Sequence, residues 1–92
     1  MEVNWDPLKA RANLAKHRVA FDDAELVLSD PLGLTREDPD ARGEERFVTV
    51  GADALGRIIA VVYAYHDEEL RLISARPATR RETDAYAQRI RS

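Results

Sequence analysis

The nine residues RIIAVVYAY, Arg57 to Tyr65, decide how the rest of the chain is arranged. In an extended backbone, Ile58, Ala60 and Val62 line one side, and Ile59, Val61 and Tyr63 line the other. A strand with one face in water alternates apolar and polar residues, and this one does not. It therefore reads as a central strand, covered on both sides.

The neighbours follow from it. ERFVTVG (45–51) precedes it across the turn ADALG (52–56), and LRLISAR (70–76) follows it across the charged turn HDEE (66–69). These make three antiparallel strands. ATRRETDAYAQRIRS (78–92) reads as a terminal helix. Thr79 and Glu82 have the T-x-x-E spacing of a capping box, and Tyr86 and Ile90 at i, i+4 are expected to hold it to the sheet. At the other end, VNW (3–5) reads as a short strand. Asp6 then caps a helix with Pro7 at its first position, ending near His17 or Arg18. Leu8, Ala12 and Ala15 give that helix an apolar stripe. Phe21, Ala24, Val27 and Leu28 suit a second helix over about 21–29, ended by Ser29-Asp30-Pro31. The start of LGLTRE (32–37) suits an edge strand, and EDPDARG (37–43) a loop. The expectation is one α+β domain over residues 1–92, with an antiparallel sheet of three to four main strands, two N-terminal helices and one C-terminal helix.

Ninety-two residues hold one small core. The absence of cysteine excludes disulfides, thiolate metal sites and cysteine nucleophiles. No apolar run is long enough to span a membrane. MEVNWDPLKA lacks the apolar stretch of a signal peptide, which sets a cytoplasmic expectation.

The formal net charge of −3 hides a segregation. Residues 1–18 carry four cations against two carboxylates, residues 19–70 four against thirteen, and residues 71–92 six against two. If the two basic ends meet in the fold, they form a patch that attracts a polyanion; otherwise the acidic middle simply neutralises them.

Two constellations within the basic ends could carry chemistry. Arg76 lies at a strand end, and Arg80 and Arg81 fall in the first turn of the last helix, where cations oppose the helix dipole and free N–H groups already favour an anion. A phosphate would suit that arrangement; pairing with Glu82, Asp84 or a loop carboxylate would also resolve it. In the first helix, Lys9, Asn13, Lys16 and His17 share a polar face. Lys16 and His17 also suit a helix C-terminus for electrostatic reasons alone. Cutting an RNA backbone without a metal requires a base for the 2′-OH, an acid for the 5′-oxygen and cations for the phosphorane. His17, Lys16 and the arginines could supply all three, with no cofactor and no metal. His66, in the acidic turn, reads as exposed and inert.

WDPLKARANLAKH, FDDAELVLSDPL, GEERFVTVG and ISARPATRRETDAY, in that order and spacing, resemble the BrnT toxin family over roughly Val3 to Tyr86. The resemblance implies a RelE-like fold and a metal-independent endoribonuclease that slows translation. It implies as partner a BrnA-type antitoxin with a ribbon-helix-helix DNA-binding part, through which the complex reaches operator DNA. It puts catalytic roles on Lys16, His17, Arg46, Arg76 and Arg80. Lys9, Asn13, Arg71, Arg81 and Tyr86 are then candidates for RNA binding. Arg18 stands where the family usually has glycine, and Ala20 where it often has a serine cap. The competing reading is a non-catalytic module of the same fold that pairs with an antitoxin or binds RNA without cutting it.

Overall fold

The computed structural model describes residues 2–92. The chain runs β1 (Glu2–Asn4), α1 (Pro7–His17), α2 (Phe21–Val27), β2 (Leu34–Glu37), β3 (Arg46–Ala52), β4 (Ile58–His66), β5 (Glu69–Pro77) and α3 (Arg80–Arg91). The strands form a single sheet in the order β1-β5-β4-β3-β2. β4 is the middle strand, as its two apolar faces require. The sheet has five strands rather than three to four, and it is mixed: β1 pairs with β5 in parallel, while the other ladders are antiparallel.

Each face of β4 has its own cover. Ile59, Val61 and Tyr63 meet Val19, Phe21, Ala24 and Val27 around α2, with Leu70, Leu72 and Ala75 of β5. On the opposite face Ala60 joins Val48 and Val50 under Tyr86 of α3. Asp30 ties the two layers together. Its Oδ2 accepts from the Ala52 N–H and the Tyr86 hydroxyl, and its Oδ1 accepts from the Leu32 N–H. Burial pushes the Asp30 carboxyl up, but these hydrogen bonds outweigh it and hold the pKa below the ordinary value.

α1 does not bury the stripe expected of it: Leu8 is 69% exposed, and the one buried side chain of the helix is Asn13. The Asn13 amide donates to Val19 O at 2.9 Å and Ala75 O at 2.8 Å, and its Oδ1 accepts from Ala75 N at 3.0 Å. Beyond Arg71, β5 has no strand partner on this side, because β1 pairs only with Glu69–Arg71. Asn13 therefore satisfies the open edge of β5 as a neighbouring strand would. On α3, Tyr86 is buried as expected, whereas Ile90 is 52% exposed and lies outside both core clusters.

At the end of α1, Arg18 adopts φ 59°, ψ 31°, the left-handed conformation that a glycine there would take without cost, and its N–H closes the helix on Leu14 O. The turn is thus kept despite the side chain. Arg57 braces it, donating to Arg18 O while pairing with Asp23 and Asp53. Ala20 caps α2 without a side-chain hydrogen bond.

Candidate functional site

Residues paired across a ladder project from the same face of a sheet. The registers therefore sort the β-strand arginines. Arg36, Val48, Val62 and Ser74 form one row; Leu34, Val50, Ala60 and Arg76 form another; Arg46, Ala64 and Arg71 form a third. Because Val48, Val50 and Ala60 pack under Tyr86, all three rows belong to the α3 face. Arg36, Arg46, Arg71 and Arg76, from three different strands, thus share one side of the sheet. On the opposite face Glu37, paired with Phe47, is the one charged residue of the strands.

A β-bulge connects this face to α1. Val62 pairs with Ser74 and Tyr63 with Leu72, so Ile73 is the extra residue. Ile73 and Ser74 line a shallow groove of about 220 Å³ with Lys9, Ala12, Asn13, Lys16 and His17. Beside it, a depression of about 450 Å³ is lined by Asn4, Trp5, Asp6, Lys9, Arg71 and Leu72. Lys9 belongs to both. The two basic ends of the chain therefore meet along β5, with His17 half-buried at the end of α1.

Past the end of β5 lies a second cluster. The Glu82 carboxylate accepts from Arg76 Nη1 at 2.7 Å, Arg76 Nη2 at 3.2 Å and Arg36 Nη2 at 2.9 Å. It also closes the capping box of α3, accepting from Thr79 N at 2.9 Å while Glu82 N donates to Thr79 Oγ1. The Arg76 hydrogen bonds, aided by Thr79 and Arg36 and opposed by burial, lower the Glu82 carboxyl to about 2; Glu82 in turn raises the Arg76 pKa. Arg46 lies toward the 38–40 loop. Its Nε is 3.7 Å from Asp38 Oδ2, its Nη2 donates to Asp40 O, and the buried Nε has no hydrogen-bond acceptor. Arg80 and Arg81 stand exposed in the first turn of α3.

The sequence-derived candidates thus divide. Lys9, Lys16, His17 and Arg71 gather on the α1–β5 groove and its neighbour. Arg76 and Arg46 share the sheet face but are held by carboxylates, and Arg80 and Arg81 are at the helix start. Asn13 and Tyr86 are corrections to the RNA-binding set. The Asn13 amide is buried and spent on backbone groups, and the Tyr86 hydroxyl is spent on Asp30 in the core, which also raises its pKa. Sequence reading missed Arg36 and Ser74, which only the register brings to this face. It named Glu82 both as a cap and as one possible carboxylate partner for the arginines, and Glu82 takes both parts with Arg76 and Thr79.

A family model described as "Ribonuclease toxin, BrnT, of type II toxin-antitoxin system" matches residues 5–82. The chain belongs to the BrnT toxin family. It is similar to the ribonuclease toxin BrnT of Brucella abortus, known from a crystal structure at 1.1 Å resolution. The two share 31% sequence identity with a TM-score of 0.63, over 87% of this chain and 99% of that one. No curated protein matches. The BrnT match spans both basic ends as far as Glu82, and Tyr86 lies beyond it. As a BrnT-type toxin of a type II system the chain has an antitoxin for a partner. No helix among the described residues is long and apolar enough to cross a membrane.

Proposed function

We propose that this chain is a metal-independent endoribonuclease of RelE-like architecture, acting on RNA in the cytoplasm and restrained by a BrnA-type ribbon-helix-helix antitoxin, with operator DNA bound only through the complex. The observation that carries the reading is the meeting of the two basic ends along β5, which brings one imidazole and two lysines beside a face bearing four arginines. Histidine titrates near neutral pH and can take or return a proton; a cation-lined surface stabilises the charge that builds on a phosphorane. In this scheme the 2′-oxygen loses its proton, attacks the adjacent phosphorus and expels the 5′-oxygen, which leaves protonated. The products are a 2′,3′-cyclic phosphate and a 5′-hydroxyl. His17 moves a proton, Lys16 moves a proton or binds phosphate, and Arg46, Arg76 and Arg80 hold the phosphate. Lys9, Arg71 and Arg81 guide the strand, and Arg36 joins them.

One observation favours a second reading. Arg76 already has a carboxylate partner, which a non-catalytic binding module would also tolerate. Cleavage of a defined RNA in EDTA by the antitoxin-free chain separates the two. The expected result is cyclic phosphate ends, with rates reduced at least about a hundredfold in His17→Ala and Arg76→Ala, in keeping with the loss of a general acid–base or of an electrostatic contact. Intact RNA after incubation with folded wild-type protein would favour the binding module.

A further inference from the structure

We propose that Glu82 is a positioning residue for RNA cleavage: its carboxylate fixes the Arg76 guanidinium, and with it Arg36, in the orientation that meets the scissile phosphate. The inference rests on the ribonuclease reading above and extends it to Glu82, which the sequence offers as a helix cap and as a charge partner for the arginines.

Thr79 and Glu82 lock each other through the capping box, and Ala78 N is bound to Ile58 O on β4. The carboxylate is therefore fixed by the helix start and the sheet before any arginine reaches it. Arg76 meets it with both Nη atoms, one on each oxygen. This two-point contact fixes the plane of the guanidinium, where a single contact would leave it free to turn. Arg36 adds a bond to Oε2 from β2, with β3 and β4 between it and the strand of Arg76.

The exposures give the direction. The Glu82 side chain is 11% exposed, that of Arg76 32% and that of Arg36 49%. The anion lies beneath and the cations face outward. Arg76 Nη1 also reaches Pro77 O at 3.4 Å, while Arg76 Nε–H and the second hydrogen on Arg76 Nη2 and on Arg36 Nη2 are not taken up by Glu82. The trio keeps a net charge of +1, so an RNA phosphate is still attracted, but by donors already aligned. Alignment of this kind chiefly affects turnover, because misplacement of a catalytic group by an ångström can cost roughly a hundredfold.

Charge and alignment make opposite demands on Glu82, and that yields a test. Glu82→Gln keeps the acceptor for Thr79 N, since glutamine also serves in a capping box. It removes the negative charge and the two-oxygen grip on Arg76. Local charge becomes more positive, so RNA binding should hold or tighten while kcat falls. The expected result is a kcat lower by about tenfold or more with KM unchanged or reduced, the signature of an interaction that matters in the transition state. A purely structural role would instead lower only the folded, active fraction, and kcat per folded molecule would stay at the wild-type value. Wild-type kcat in Glu82→Gln overturns the proposal while leaving the ribonuclease reading intact, provided Arg76→Ala has lost cleavage. A wild-type chain that cuts no RNA overturns both. NMR of 15N-labelled arginine side chains gives a readout free of activity. Hindered rotation about the Arg76 Nε–Cζ bond in the wild type, released in Glu82→Gln, is expected; free rotation in the wild type defeats the positioning role.

Discussion

β5 is held at two places, and the two locks are built from different chemistry. At its open edge a neutral amide, Asn13, binds backbone groups of Ala75 and Val19. At its end a carboxylate, Glu82, binds Arg76, Arg36 and the start of α3. Around the neutral lock, Lys9, Lys16, His17 and Arg71 make no ion pair within the described residues; at the charged lock, Arg36 and Arg76 are paired with Glu82, and Arg46 lies near Asp38, while Arg80 and Arg81 in the first turn of α3 make no ion pair within the described residues. A neutral lock fixes a strand without drawing on nearby cations, which stay available to a polyanion. A charged lock draws on them and in return sets their orientation. The first is insensitive to pH and salt, the second is not.

The largest effect should come from the neutral lock. Asn13→Ala leaves the Ala75 N–H and C=O and the Val19 C=O without their partner. At about 1–3 kcal/mol for each buried group left unsatisfied, and with water recovering part of the loss, a destabilisation of about 3 kcal/mol is expected. Urea unfolding at pH 5 and pH 8 should show the same deficit at both. A loss below about 1 kcal/mol would mean that the edge of β5 does not depend on this amide.

How much of this was legible in the sequence follows from the same contrast. RIIAVVYAY identified the central strand because burial on both faces is written into composition. The capping box of α3 was legible because its partners are three residues apart. Asn13 was misread because polar residues on a helix normally face water, and the partner that overrides this rule, Ala75, is 62 residues away. The stripe Leu8–Ala12–Ala15 misled for the same reason: the sheet edge needed a hydrogen-bonding side chain, and α1 rotated to supply one. The clustering of Arg36 with Arg76 depended on β2–β3–β4–β5 register, which no local pattern specifies.

The charged lock should show in acid. Glu82 titrates at about 2 in the folded chain against an ordinary 4.5. A lowered carboxyl contributes stability that is fully present above the ordinary value and is lost as pH falls through the folded one. Asp30 and Asp53 are lowered too, so the wild-type acid limb is not due to Glu82 alone. The difference between wild type and Glu82→Gln isolates it. Allowing for solvent screening of the exposed arginines, that difference should be about 2 kcal/mol at pH 6 and shrink toward zero near pH 2. A difference that stays constant over this range would show that Glu82 acts as a cap alone.

A smaller effect tests the turn that ends α1. Arg18 sits at φ 59°, which costs a residue with a side chain about 1–2 kcal/mol relative to right-handed geometry. Glycine removes that strain but gives the unfolded chain more freedom, worth roughly 0.5–1 kcal/mol. Arg18→Gly should therefore stabilise by about 0.5–1 kcal/mol in denaturant unfolding, with the rate of RNA cleavage unchanged. Destabilisation would mean that the Arg18 side chain contributes more to the fold than its backbone strain costs.

The finest test of the comparison is the salt dependence of RNA affinity. For single strands, each phosphate neutralised adds about 0.7 to the slope of log K against log salt. Among the described residues no carboxylate is paired with Lys9 or Arg71, so a phosphate bound there releases its counterion in full. Arg36 already shares Glu82, and a phosphate reaching it must compete with a fixed anion for the same donors. Lys9→Ala and Arg71→Ala should each flatten the slope by about 0.7, and Arg36→Ala by less. Equal changes in all three would mean that Glu82 yields to RNA as readily as solvent does. The two locks would then differ in how they hold β5 and not in what they leave for the ligand.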